Sequence, residues 1–227
     1  MGITSATPRK PSRRRAAGSD SPRTGRQRVA TPGTQLQRER ILQAAARLFA
    51  EQGYASTTMA QIVRELGVTK PFVYYYFRDK QEIFETLSWR PAVACLTAMD
   101  FAADGPRSAC DKVLEGLRRL IRATIAHQPC AFFPYREPQV YRPEYRAAQR
   151  KLAHHFYDQL RPLLEQARSD GDLDFDDASI TALAACSLPG FLYTWYRPDG
   201  RYGEDELSDK LCVLAYRVVG LRKVAGY

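Results

Sequence analysis

Residues 57–80, TTMAQIVRELGVTKPFVYYYFRDK, decide the fold of this chain. Their first half places apolar residues at the spacing of one helical face, at Met59, Ile62, Val63 and Leu66. This spacing predicts a helix over residues 59–66 with one buried side. Thr58 and Gln61 are spaced to form a capping box at its start, and Gly67 is expected to end it.

A second short helix is predicted after a three-residue turn, Gly67-Val68-Thr69. Thr69 is expected at its N-cap, and Pro71 falls in the first turn, where a missing N–H costs little. Val73 and Phe77 lie one turn apart and should face the core. Two short helices joined by a turn that contains glycine form a helix-turn-helix.

The second helix is expected to direct several large side chains toward solvent, namely Lys70, Phe72, Tyr74 and Tyr75. Such a surface suits DNA, because a lysine at a helix N-terminus attracts phosphate and tyrosine hydroxyls bond to phosphate oxygens or base edges. The alternative is a tyrosine-rich helix buried in the core.

Residues 40–87, RILQAAARLFAEQGYASTTMAQIVRELGVTKPFVYYYFRDKQEIFETL, resemble the N-terminal domain of the TetR family of bacterial transcriptional regulators. A helix, Gly-Tyr, Thr-Thr, the helix-turn-helix, Tyr-Phe, a basic residue and Lys-x-x-Ile-Phe follow one another without a gap. Carried over by position, the resemblance implies DNA contacts from Thr58, Thr69, Lys70, Phe72, Tyr74, Tyr75, Tyr76 and Lys80.

The positive charge of the chain is concentrated at its N-terminus. The whole sequence carries a net charge of +9, and residues 1–33 hold eight Arg or Lys against one Asp. This segment is rich in Pro, Gly and Ser and poor in large apolar residues, which predicts a disordered basic arm. The arm is expected to add phosphate or minor-groove contacts. A solvated extension without function and an organellar transit peptide are the alternatives.

A first helix is predicted over about residues 35–52, with Gly53 as its stop, so that three helices form a DNA-binding domain over residues 34–80. A fourth helix is expected from Lys80 to roughly Ala102, bent or interrupted by Pro91. Further helices are predicted near residues 106–127, 130–138, 143–169, 177–197 and 204–222. The predicted fold is all-α, with a helical ligand-binding and dimerisation domain over residues 81–227.

Residues 178–196 contain no charged residue, so a membrane span is one interpretation of them. Their Ser, Thr, Pro and Gly content favours a buried helix instead. Apolar stripes on the last two helices fit a four-helix interface between two identical subunits, as the resemblance also implies. The expected interface residues are Leu188, Leu211, Leu214, Ala215 and Val218. The alternative is that both helices only complete the core of the monomer.

The aromatic residues of the C-terminal half predict an apolar cavity, although a filled core would explain them as well. The expected lining residues are Phe133, Tyr135, Leu152, Phe156, Phe191 and Trp195. Short stretches around residues 133–137 and 195–200 resemble a TetR branch that responds to acyl-CoA thioesters. Arg142, Arg146, Arg150 and Lys151 form a basic stretch that would hold CoA phosphates in that case.

Five scattered cysteines without a C-x-x-C pair indicate reduced thiols of a cytoplasmic protein. If it binds DNA as expected, the protein would be associated with the bacterial nucleoid. The three histidines lack metal-ligand spacing, and the sequence contains no catalytic motif, so neither a metal nor another cofactor is expected. The resemblance implies a sequence-specific regulator, a repressor that a small apolar or acyl-CoA-like ligand releases from an inverted-repeat operator. A non-specific architectural DNA-binding protein and a helical enzyme remain the alternatives.

Overall fold

Ten α-helices make up the part of the chain that the structure, a computed structural model, describes: residues 32–102 and 105–222. They are α1 (Pro32–Ser56), α2 (Met59–Leu66), α3 (Lys70–Tyr76), α4 (Lys80–Leu96), α5 (Ala109–Ala126), α6 (Phe133–Arg136), α7 (Pro143–Ser169), α8 (Ala178–Gly190), α9 (Leu192–Trp195) and α10 (Glu204–Val218). Two 3-10 turns, Cys130–Phe132 and Pro138–Val140, flank α6. Within these ranges the only extended pairing is one bridge between Leu173 and Leu221, which confirms the all-α prediction.

The first helix is longer than predicted at both ends. It begins at Pro32, so the last two residues of the predicted arm belong to α1, while residues 1–31 lie outside the described part of the chain. Gly53 interrupts the helical backbone with φ 80° and ψ 167°, as expected of a stop, and the chain then completes one more helical turn to Ser56.

Several other helices are shorter than predicted. The helix expected to reach Ala102 ends at Leu96, the one expected over residues 177–197 divides into α8 and α9, and α10 ends at Val218. Ala98 and Met99 lie in turns after α4 but are buried by other elements. Their burial extends the apolar sequence pattern past the end of the helix, which is why the end of α4 was predicted too late. Pro189, which has no N–H for the helical ladder, lies one residue before the end of α8.

Two hydrophobic cores organise the chain. The N-terminal core is formed mainly by α1 to α4 and contains Ile41, Phe49, Ile62, Val73, Phe77 and Phe84, with Phe133 and Tyr141 added from later in the chain. The C-terminal core contains Met99, Leu117, Ile121, Phe156, Leu160 and Leu164. Helix α5 lies at the centre of the second core, because α4, α7, α8 and α10 all pack against it. The fold therefore joins a small three-helix unit to a larger helical bundle through α4.

The chain after α10 is bonded to the loop between α7 and α8. Gly220 O accepts a hydrogen bond from Asp174 N at 2.9 Å, and Arg222 N donates to Asp172 O at 3.2 Å. Gly220 has a φ of 67°, and a Cβ atom built on it would lie 1.7 Å from Asp174 O. Only glycine fits where these two backbones meet.

The stretch of residues 178–196 that suggested a membrane span is divided between α8 and α9. Among the described residues, no helix combines the length and the apolar character that crossing a bilayer requires.

The substitution Gly220→Ala is expected to lower the free energy of unfolding by more than about 2 kcal/mol, because strain at positive φ adds to a clash with backbone atoms. Gly171→Ala is the matched control, since Gly171 has a φ of 82° and nothing within 4 Å of an added Cβ. That change should cost only the strain, about 1 kcal/mol. Urea unfolding of both variants measures the difference, and equal losses would contradict the close approach.

Candidate nucleic-acid interface and effector cavity

Helix α2 is fixed at both ends by its own sequence. Thr58 accepts a hydrogen bond from Gln61 N at 3.2 Å, and Gln61 Oε1 accepts from Thr58 N at 2.7 Å, which is the predicted capping box. Gly67 ends α2 in the left-handed conformation with a φ of 65°. These local bonds set the direction in which the chain enters α3.

Helix α3 has one buried and one exposed side. Val73 and Phe77 are fully buried in the N-terminal core, as predicted. Tyr74 is 48% exposed and Tyr75 60% exposed, and Lys70 is exposed as well. The exposed side of α3 thus carries one ammonium group and two phenol rings, an arrangement suited to phosphate and base-edge contacts.

Two of the residues expected to contact DNA are partly packed. Phe72 and Tyr76 are half-buried, and their ring centroids lie 5.3 Å apart. Tyr75 meets Tyr76 edge to face at 4.9 Å. The Tyr76 ring therefore packs between Phe72 and the exposed Tyr75. Thr69 occupies the N-cap of α3 without a side-chain capping bond and is exposed.

Lys80 is bound within the chain, although the sequence suggested a DNA contact. Its Nζ donates to Tyr54 O and to Thr57 O, both at 2.7 Å, and lies 4.0 Å from the centroid of the Tyr54 ring. Burial lowers the pKa of Lys80. Two of its three N–H donors thus stabilise the end of α1, a partner the sequence could not reveal because it lies more than 20 residues away.

Arg38 has a similar role at the C-terminus of α3. One of its terminal nitrogens donates to Tyr76 O at 2.9 Å, and its guanidinium lies 4.1 Å from the centroid of the Phe77 ring. This bond satisfies a carbonyl at the C-terminus of α3. Arg38 and Lys80 therefore stabilise the recognition unit, which we define as helices α2 and α3, on the side opposite its exposed surface.

A cavity of about 250 Å³ lies between α4, α5, α7, α8 and residues 131–135. Most of its walls are apolar, with contributions from Pro91, Ala92, Leu96, Leu120, Phe156 and Pro189. No charged side chain is among the described residues that line it. A mostly apolar lining of this kind favours an apolar, uncharged molecule, because burying a charge without a partner is costly.

The polar groups of the cavity are also uncharged. Burial raises the pKa of the Cys186 thiol to about 12 and also raises the pKa of Cys95, so both thiols are protonated near neutral pH. Ser88 donates its hydroxyl hydrogen to Phe84 O, and Thr124 donates to Leu120 O. Gln149, Tyr135 and Tyr157 remain as the groups suited to anchor a ligand.

The two halves of the chain match one family. The family described as "Bacterial regulatory proteins, tetR family" matches residues 41–87, and the "Tetracyclin repressor-like, C-terminal domain" matches residues 106–219. The chain belongs to the TetR family. Its helix-turn-helix is accordingly the DNA-binding element of a transcriptional regulator, as the resemblance in the sequence implied.

Individual relatives, described as HTH-type transcriptional regulators, match over shorter lengths. The regulator AcrR of Shigella flexneri is 29% identical over 93 residues, which cover 40% of this chain and 43% of that protein. The regulator HbdR of Aromatoleum sp. (strain CIB) is 50% identical over 46 residues, 20% of each chain. The chain therefore matches less than half of the length of either relative.

Solved structures, two of them described as TetR-family proteins, share the fold over most of the chain. PfmR from Thermus thermophilus has a TM-score of 0.70 at 24% identity, covering 81% of this chain and all of that one. A tetR-family regulatory protein from Rhodococcus RHA1 has a TM-score of 0.71 at 23% identity over 82% and 98% of the two chains. AibR, crystallised with isovaleryl coenzyme A and operator DNA, has a TM-score of 0.61 at 22% identity over 78% and 97%.

Four of the six residues predicted to line a pocket do not line the cavity of this TetR-family chain. Tyr135 and Phe156 do, whereas Phe133 is buried in the N-terminal core and Leu152 lies outside the lining. Phe191 and Trp195 lie on the exposed surface, because the chain leaves the α8 helix at Gly190. Ser88, Gln149 and the thiols of Cys95 and Cys186 were missed, since nothing in their spacing distinguishes them from core residues.

The predicted dimer residues also divide into two groups. Leu211 and Ala215 are buried in the core of their own chain, and Leu188 is partly buried against it. Leu214 and Val218 are exposed on the outer side of α10. Assigning Leu211 and Ala215 to a subunit surface was wrong, because the apolar stripe of α10 is wide enough to cover both an inner and an outer side.

The basic stretch of α7 does not approach the cavity. Arg142 binds the carboxylates of Asp79 and Glu85. Arg150 and Lys151 instead border a shallow surface groove with His154 and Asp158. Among the described residues no cluster of His, Cys, Asp or Glu is placed to hold a metal ion.

Lys70 and Lys80 can be separated by their effects on binding and on stability. Lys70→Gln should weaken DNA binding and reduce the slope of log K against log salt by about 0.9 per lost phosphate contact, with the melting temperature unchanged. Lys80→Gln should instead destabilise the N-terminal core by about 1–2 kcal/mol, because two carbonyls lose their charged partner. Anisotropy titrations over a salt series and thermal melts measure the two effects. A reduced salt slope without destabilisation for Lys80→Gln would restore its predicted DNA contact.

Proposed function

We propose that this protein is a sequence-specific transcriptional repressor that binds an inverted-repeat operator as a homodimer and is released by a small molecule. The observation that carries the proposal is the exposed side of α3, with Lys70, Tyr74 and Tyr75, on a helix-turn-helix of a TetR-family chain. Lys70 contacts phosphate, and the two tyrosines contact phosphates or base edges in the major groove. The proposal gives the chain no catalytic role.

The surface of α8 and α10 supports the dimer. Ile180 and Leu183 on α8 are 69% and 55% exposed, and Leu214 on α10 is 45% exposed, with Val218 beside it. Helices α8 and α10 pack against each other, so two copies related by a two-fold axis would bury these side chains in a four-helix interface. The dimer presents two α3 helices about one turn of DNA apart, roughly 34 Å.

The cavity supports the effector site. Its volume of about 250 Å³ lies near the lower limit of small-molecule pockets, roughly 300 Å³, and its lining is uncharged. The effector is therefore a small apolar molecule with one group that hydrogen-bonds to Gln149 or to a tyrosine hydroxyl. It favours a conformation in which the two α3 helices no longer match the operator, so binding shifts the population away from DNA.

An acyl-CoA is the second candidate, because AibR, a structure of similar fold, was crystallised with isovaleryl coenzyme A. A short acyl chain fits the volume of the cavity, whereas the phosphates of CoA require basic partners outside it. Arg146, Arg150 and Lys151 are exposed on α7 and are the residues we assign to that role in this case. Arg142 is already bound to two carboxylates.

The proposal includes the cellular location of the protein and a role for the basic residues 1–33. A regulator of this kind acts in the bacterial cytoplasm, on the nucleoid. The eight basic residues of residues 1–33 would add phosphate contacts beside α3 and increase the salt dependence of binding.

Fluorescence anisotropy on DNA from upstream of the gene, with competitor DNA present, tests the proposal. The panel of effectors contains small uncharged aromatic and aliphatic alcohols and esters, matched free acids and short acyl-CoAs. Preferential binding that an uncharged molecule relieves is the expected result, and relief by one thioester alone would select the second candidate. Equal binding to competitor DNA would contradict the proposal.

A further inference from the structure

Two consecutive residues enter different hydrophobic cores. Phe132 belongs to the C-terminal core and Phe133 to the N-terminal core, and each is only 2% exposed. The Phe133 ring stacks on Phe84 of α4 with centroids 4.7 Å apart and meets Phe49 of α1 edge to face at 6.1 Å. Residues 130–142, which we call the connecting segment, therefore bridge the DNA-binding unit and the bundle.

The connecting segment also forms part of the cavity wall. Ala131, Pro134 and Tyr135 line the cavity, on either side of the two buried phenylalanines. Any molecule that fills the cavity contacts this wall. A change in the wall is transmitted to Phe133, because a closely packed aromatic ring cannot be displaced without moving its neighbours.

The far end of the connecting segment is held by Arg142. Its guanidinium donates to both carboxylate oxygens of Asp79, at 2.9 and 2.8 Å, and also to Glu85 Oε2. Its backbone N donates to Glu85 Oε1 at 2.7 Å. The side chains of Arg142 and Glu85 are only 21% and 12% exposed, so solvent screens this pair less than an ordinary surface pair. The Asp79 side chain is 43% exposed, so its bidentate bond to Arg142 is screened more.

Asp79 is the residue through which this cluster reaches α3. It is the N-cap of α4, where its Oδ1 accepts from Glu82 N at 2.8 Å, and it lies three residues after the end of α3. Burial acts to raise the pKa of Asp79, but the bond from Glu82 N–H and the charge of Arg142 hold it below its ordinary value. Asp79 is thus a carboxylate that bonds α4 and α7 at the same time.

We propose that Arg142 is a positioning residue for DNA binding, which transmits displacement of the connecting segment by a ligand in the cavity to the junction of α3 and α4. The inference rests on the proposed function and adds the route of its regulation. Arg142 fixes Asp79, and with it the angle at which α4 follows α3. Displacement of Ala131, Pro134 and Tyr135 shifts this bonded junction, and the two recognition helices lose their match to the operator.

The test uses a side chain as the occupant of the cavity, so that no effector needs to be identified. Cys186 lines the cavity from α8, on a different helix from those that carry the Arg142 cluster, and Cys186→Phe places a ring in the cavity. The affinity for the upstream DNA is measured for the full chain, for Cys186→Phe, for Arg142→Gln and for the double variant. The coupling factor is the loss of affinity that Cys186→Phe causes in each background.

We expect Cys186→Phe to weaken operator binding about tenfold in the otherwise unchanged chain, within the usual range of allosteric coupling. In the Arg142→Gln background the same change should weaken binding less than about twofold. Arg142→Lys should give an intermediate factor, because an ammonium retains the charge but lacks the bidentate fork. A purely structural role of Arg142 would lower the melting temperature and leave the coupling factor unchanged.

Arg90→Gln is the matched control. Arg90 of α4 forms a bidentate pair with Glu39 of α1, but this pair does not reach the connecting segment. The tenfold coupling factor should persist in this background. Glu85→Gln provides a second variant of the cluster if Arg142→Gln fails to fold, as circular dichroism will show.

A tenfold factor that persists in both Arg142→Gln and Glu85→Gln would overturn the inference and leave the proposed function intact. No loss of affinity from Cys186→Phe in the otherwise unchanged chain would overturn the link between cavity and operator, and the inference with it. Absence of operator preference in the unchanged chain would overturn the proposed function itself.

Discussion

Phe132 and Phe133 are neighbours in the chain, yet their rings are buried in two separate cores. Removing a buried phenylalanine side chain typically costs about 3–5 kcal/mol, so neither ring leaves its core easily. The backbone between them is thereby fixed to both halves of the molecule. Without this constraint α4 would be the main link between the helix-turn-helix and the bundle. With it, the two halves are also joined behind the recognition unit, through α6 and the start of α7.

The local features of the sequence predicted the recognition unit well. The Thr58–Gln61 capping box, the left-handed Gly67 and the buried pair Val73 and Phe77 all lie where the pattern placed them. Each of these features acts over a few residues, so a single stretch contains the whole signal. The ends of α4, α8 and α10 were predicted too late for the opposite reason. Ala98 and Met99 beyond α4 and Val219 beyond α10 are buried by other elements, and burial without a helix produces the same pattern. Helix α8 differs, because it ends at Gly190 and the following Phe191 and Trp195 are exposed.

The residues of the site were harder to predict, because their partners are distant in the sequence. Lys80 binds the carbonyls of Tyr54 and Thr57, and Arg142 binds Asp79 and Glu85. In the sequence all these charges resemble solvent-exposed groups. The sequence also does not show which of two cores an aromatic residue enters, and for this reason Phe133 was assigned to the cavity instead of the N-terminal core. The same problem arises for helix α10. Its wide apolar stripe does not show which residues pack against their own chain and which are exposed on the outer side.

In the proposed function the protein is a two-fold symmetric reader of DNA, whose recognition helices are positioned by the connecting segment and the bundle. Selection of bound sequences from a random DNA pool by the full chain tests this claim most directly. We predict a palindromic consensus of two half-sites whose centres lie about one turn of DNA apart, roughly 34 Å. A single asymmetric half-site, or no enriched sequence, would contradict it.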